Sequence, residues 1–179
     1  MRGLHKFCAL ALAATSTPAI ADDHISAAEQ SALAEADVRL SVNAFMNAIG
    51  SDDKTDLADH MIAEATIFVH NRMDPENPRI DIVPVAQHLE SWAARDARYI
   101  EEMAITSVLV DGDMAHAWGP YSFWENYQLK HCGTNSLSLV RKGGGWRVAN
   151  TSFTIERPSE CERLGVAGFP AEAVSDGEP

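Results

Sequence analysis

Apolar residues along the chain first recur with a helical period. Val38, Val42, Phe45, Met46 and Ile49 fall on one stripe. A Ser26-Ala-Ala-Glu29 capping box precedes the stripe and Gly50 ends it, which predicts one long amphipathic helix. Ser51-Asp52-Asp53 caps a shorter second helix carrying Leu57, Met61 and Ile62. Residues 65–70 turn β-branched and aromatic and predict a strand. Residues 73–84 hold Pro75, Pro78 and Pro84 among polar neighbours and predict an irregular loop, a candidate lid. Pro84 then opens a third helix marked by Val85, Leu89, Trp92 and Ala93.

Beyond Tyr99 the period falls to two. Strands are predicted over residues 100–110, 116–128, 135–142 and 146–156, with turns at Asp111-Gly112 and Gly143-Gly144-Gly145. Gly119-Pro120 lies inside the longest of them. Proline cannot donate to a ladder, so a bulge that bends the sheet is expected there. Alternation assigns faces. Leu137 and Leu139 point inward, and Asn135 and His131 follow by parity. Met114, His116 and Trp118 share a face, to which the expected bulge returns Tyr121, Phe123, Glu125 and Tyr127. Trp146, Val148, Asn150 and Ser152 share a face of the last strand.

Composition narrows the setting. The chain has 179 residues, room for one domain, and a net charge of −12, which leaves no basic footprint for nucleic acid or anionic membrane. Residues 1–21 have the form of a secretory signal. Arg2 and Lys6 give the basic start, an apolar stretch follows, and Ala19-Ile20-Ala21 is a small-x-small cleavage site. The expected organisation is a signal peptide at 1–21, a domain over 22–163 and a disordered tail over 164–179, in a secreted or periplasmic protein with no membrane insertion after cleavage. Only Cys132 and Cys161 remain after cleavage, and an oxidising compartment favours joining them as a disulfide.

The order helix, helix, strand, helix and four strands describes an α+β fold, three N-terminal helices on a strongly curved antiparallel sheet that encloses a cone-shaped pocket. Four stretches carry a family resemblance: Phe45-Met-Asn-Ala-Ile-Gly-Ser-Asp-Asp, Ala65-Thr-Ile-Phe-Val-His-Asn, Trp118-Gly-Pro-Tyr-Ser-Phe-Trp and Leu137-Ser-Leu-Val-Arg-Lys-Gly-Gly-Gly-Trp-Arg-Val. Over residues 30–157 the chain resembles the nuclear transport factor 2-like superfamily, whose relatives include the ketosteroid isomerase-like, scytalone dehydratase-like and SnoaL-like families. His131-Cys132-Gly133 and Cys161 match the layout of its exported members. The resemblance implies a cystatin-like α+β roll, a scaffold that hosts enzymes, binding modules and assembly domains alike. Its enzymes place a carboxylate or a His-Asp pair inside the cone to move a proton beside a carbonyl.

Here no acid falls on the inner face of the last two strands, and Asn135 stands where one would be most useful. Asp52, Asp53, Asp56, Asp59, Glu101 and Glu102 read as caps and solvated faces. The expected function is therefore an exported binding domain for a small apolar or aromatic molecule, acting as a homodimer through the outer sheet face. His116, Trp118, Phe123, Asn135, Leu137, Asn150 and Ser152 are its expected ligand contacts, each of which also has a packing explanation. The alternative is a cofactor-free isomerase, dehydratase or cyclase with His131 as acid/base and Tyr121 as donor to an enolate. A structural dimerisation module is the third reading. No cofactor is expected. A zinc site from His70, His116 and His131 is conceivable, but without HxH or HExxH spacing no metal is expected either.

Overall fold

The computed structural model describes residues 25–166. The expected signal segment and all but the start of the expected tail lie outside the described residues. The long helix is α1, Ala27–Gly50, whose capping box is complete: Glu29 N–H donates to Ser26 Oγ and Ser26 N–H to the Glu29 carboxylate. The predicted stripe is its buried face.

The second predicted helix is shorter than expected. It is a 3₁₀ helix over Asp56–His60, and Met61 already bridges to Val148 while Ile62 N–H donates to the Val148 carbonyl at 2.8 Å. The chain leaves the helix there because its backbone groups find sheet partners. Strand β1, Thr66–Asn71, follows. Half of the predicted loop is a strand, β2, Arg79–Pro84, fully paired with β1 from Thr66 opposite Pro84 to Asn71 opposite Arg79. Ile80, Ile82 and Val83 supply the β-branched residues, and the prolines only flank the run. Helix α2, Val85–Ala93, comes next.

The strand predicted at 100–110 is two strands, β3, Tyr99–Met103, and β4, Ser107–Asp111, both paired with β5, Met114–Glu125. Gly119-Pro120 does not bulge. The ladder from β5 to β6, Gln128–Lys142, runs through Gly119 opposite Asn135 and Pro120 opposite Thr134, and shifts only between Phe123 and Trp124. The Pro120 carbonyl accepts from Ala104 N–H, so the donor that proline lacks faces the jog between β3 and β4, where no regular ladder needs it. Gly119 admits that jog, since a Cβ there would lie 2.0 Å from the Ala104 carbonyl oxygen.

Strand β7, Gly145–Ile155, pairs antiparallel with β6 and parallel with β1. The seven-stranded sheet is therefore mixed, in the order β2-β1-β7-β6-β5-β3, with β4 also on β5. The architecture remains α+β, with α1 and α2 on the concave side and the core between helices and sheet. A 3₁₀ turn, Pro158–Glu160, and a short helix α3, Cys161–Leu164, follow β7, and Cys161 is joined to Cys132 of β6 as expected.

Candidate functional site

A cavity of about 270 Å³ lies between the helices and the concave face of the sheet. Phe45 and Ile49 of α1 and Leu57 close one side, and Ile67 and Val69 of β1 another. The remaining wall comes from α2 and from β3, β5, β6 and β7.

Of the residues expected to meet there, Tyr121, Phe123, His131, Asn135 and Leu137 do line the cavity. His116, Trp118, Asn150 and Ser152 do not. Because β5 continues without a bulge at Gly119-Pro120, Tyr121 and Phe123 share a face with the buried Ala115 and Ala117. His116 and Trp118 are left on the outer face, where Trp118 is 47% exposed. On β7 an irregularity arises between Leu137 and Leu139: Leu139 opposes Val148, but Leu137 opposes Thr151. The extra residue reverses the parity, so Thr151, Phe153 and Ile155 line the cavity and Asn150 and Ser152 turn away. Asn150 instead accepts the Thr66 amide at 3.0 Å and ties β7 to β1. His70 and Trp118 border a shallow outer depression, so the three histidines of the conceivable zinc site do not converge.

Glu101 is the decisive surprise among the lining residues. It stands on β3 opposite Phe123, which in turn stands opposite His131, so acid, ring and imidazole lie side by side across three adjacent strands. Phe123 and His131 stack at 4.7 Å with 9° between planes. Asn135 Nδ2 donates to Glu101 Oε1 at 2.8 Å. Burial pushes the Glu101 carboxyl up to about 7 despite that hydrogen bond. The acid is therefore divided between its two forms near neutrality. Asn135 holds an acid across the sheet; it does not replace one.

Burial drives His131 the other way, down to about 4, so its ring is neutral. The Tyr121 hydroxyl donates to the Thr154 carbonyl at 2.8 Å and meets His131 Nδ1 at 3.2 Å. With its single proton committed, the hydroxyl accepts from Nδ1–H, which fixes the tautomer and leaves the lone pair on Nε2. Burial, then the charges of Glu101 and Glu156, raise the Tyr121 hydroxyl well above its ordinary value. The phenol reaches β7 because its register partner is Gly133, where a Cβ would lie 1.9 Å from the Thr154 carbonyl oxygen.

Solved structures with the same shape decide the fold. A protein of unknown function from Mycobacterium tuberculosis superposes with a TM-score of 0.60 at 17% identity, over 83% of this chain and 85% of that one. A nuclear transport factor 2-like protein with a cystatin-like fold from Novosphingobium aromaticivorans gives 0.55 at 14%, over 72% and 86%. The fold is the nuclear transport factor 2-like, cystatin-like fold. The beta subunit of an aromatic-ring-hydroxylating dioxygenase from the same organism shares this nuclear transport factor 2-like shape at 0.56 and 15%, over 72% and 92%. No protein-family model and no curated protein matches the sequence.

The nuclear transport factor 2-like cone also contains His88, Trp92 and Arg95, from α2 and the turn after it, which sequence reasoning assigned to packing or passed over. Trp92 packs on Tyr99 at 4.8 Å and Tyr99 on Phe123 at 5.5 Å. Trp92 Nε1 and Thr151 Oγ1 are buried without a hydrogen-bond partner. Glu125 turns to Lys130 at 3.1 Å, away from the cavity, and that contact is the first cause holding its carboxyl below the usual value.

Proposed function

We propose that the cone binds a small apolar or aromatic molecule carrying a carbonyl or hydroxyl group, and that Glu101 transfers a proton to or from it without a cofactor. The observation that carries this reading is a carboxyl held near neutrality inside an apolar cavity, the condition under which one group works as both acid and base. Asn135 occupies Oε1 and so leaves Oε2 to meet the ligand. Nε2 of the neutral His131 is an acceptor for a ligand hydroxyl, and the flat Phe123–His131 stack offers a face to an aromatic ring. Tyr121 acts by positioning His131, since its own proton is spent on Thr154. Isomerisation, dehydration and cyclisation all fit a single mobile proton. The disulfide supports the expected export to an oxidising compartment.

Native mass spectrometry of the purified protein is the route to a retained ligand. With it, or with carbonyl compounds found by screening, wild type is expected to exchange protons beside the carbonyl for solvent deuterium. Glu101→Gln should still bind but exchange at least about 100-fold more slowly. An unchanged rate in Glu101→Gln would overturn the proton-transfer reading. Binding without turnover is the second reading, favoured by the committed Tyr121 hydroxyl, which removes the donor expected for an enolate; retained ligand with no exchange in wild type would establish it.

A further inference from the structure

Among the described residues Arg95 is the one on the cavity lining that carries a positive charge, because burial lowers both lining histidines, His88 and His131, toward their neutral forms. It lies two residues beyond α2, exposed to solvent, so it stands where the cavity meets water. Its guanidinium sits 4.7 Å above the Trp92 ring and 5.4 Å from that of Tyr99. Two aromatic faces thus hold the group in place, and among the described residues no carboxylate lies within ion-pair distance of it. Arg72, Arg79, Arg141 and Arg163, by contrast, each face an acid.

Arg95 and Glu101 reach the cavity from different elements. Arg95 follows α2, whereas Glu101 is on β3 opposite Phe123. The cone therefore has a solvent-exposed cation, an apolar and aromatic body, and an acid on its wall. A planar guanidinium with free donors matches a carboxylate in two-point contact. Lys54 also faces the Tyr99 ring, at 5.5 Å, but it donates to the Ser51 carbonyl and is not on the cavity lining, and a single lining guanidinium suits a monoanion better than a phosphate dianion.

We propose that the ligand is itself a carboxylic acid, an aromatic or aliphatic monocarboxylate whose anionic end is held by Arg95 at the rim while its apolar body enters the cone. This rests on the reading of the cone as a ligand site and not on proton transfer. A ligand oriented this way presents the carbons furthest from its carboxylate to Glu101 and His131. Arg95 thus decides which end enters first.

The test compares 3-phenylpropanoate with its neutral counterpart 3-phenylpropanamide, followed by titration of the Trp92 indole N–H resonance in the intact protein. In wild type the acid is expected to bind at least about tenfold more tightly than the amide. Arg95→Gln should abolish that preference while leaving amide affinity unchanged, and Arg95→Lys should restore part of it. Equal affinity for acid and amide in wild type, or a preference that survives Arg95→Gln, overturns the carboxylate proposal and leaves the cone as a ligand site. Binding of neither probe overturns both. A change in Arg95→Gln that weakens acid and amide equally marks Arg95 as a packing residue for Trp92 and also overturns the proposal.

Discussion

Glu101 and His131 pull the protein's pH response in opposite directions. The folded state keeps the Glu101 proton up to about 7, against 4.5 for an ordinary glutamic acid, so its contribution is fully present below 4.5 and is lost as pH rises to about 7. His131 is held neutral down to about 4, against 6.5, so its contribution is present above 6.5 and is lost as pH falls toward 4. Between 4.5 and 6.5 the two slopes offset each other. Glu101→Gln removes one of them. The variant should be more stable than wild type at about pH 8, by about 3 kcal/mol at most, with the difference vanishing below about pH 4.5 in urea titrations. A difference that does not change with pH would show that Glu101 is not protonated by its surroundings. The sequence could not announce this residue. Tyr99-Ile100-Glu101-Glu102-Met103 sets one acid on each face of the strand, and alternation does not say which acid the curved sheet turns inward. His131 and Asn135 were readable because Leu137 and Leu139 mark the inner parity of β6 without ambiguity.

Elements were legible where the pattern ran uninterrupted and misread where one residue changed the count. The stripe of α1 and the inner face of β6 follow directly from periodicity. One extra residue of β7 between Val148 and Thr151 exchanged Asn150 and Ser152 for Thr151 and Phe153, and no local composition marks such a bulge. The opposite error arose at Gly119-Pro120, which resembles a break but serves a neighbouring strand's jog. Gly119 is therefore a packing requirement with a measurable cost. Gly119→Ala drives a methyl into the Ala104 carbonyl, a backbone atom that cannot swing aside. A loss of about 2 to 3 kcal/mol is expected in chemical denaturation. Gly112→Ala, where nothing lies within 4 Å, is the control for steric cost, although its φ of +58 adds a strain of its own. If the two variants lose equal stability, the close approach at Gly119 contributes nothing beyond backbone preference.

At the scale of the whole molecule, the Cys132–Cys161 link joins positions 29 apart in sequence and pins α3 against β6, beside His131. Reduction, or Cys161→Ser, should cost about 3 to 4 kcal/mol by the chain-entropy argument and lower the melting temperature accordingly. Identical melting curves with and without reductant would refute that. The disulfide was legible from cysteine count and expected compartment, whereas the mixed sheet was not, because nothing in a strand's composition tells whether a distant partner runs parallel or antiparallel to it. That parallel pairing also sets a timetable. The Thr66 amide meets Asn150 across 84 residues of chain, so one wall of the cone is synthesised well before the neighbour it pairs with. Loop-closure entropy favours the local hairpins, β1 with β2 and β5 with β6, ahead of the seam between β1 and β7, whose long loop costs more to gather in. A chain that stops short of β7 has most of its strands and no enclosed space, and a ligand that needs the finished cone reports on the closing of that seam.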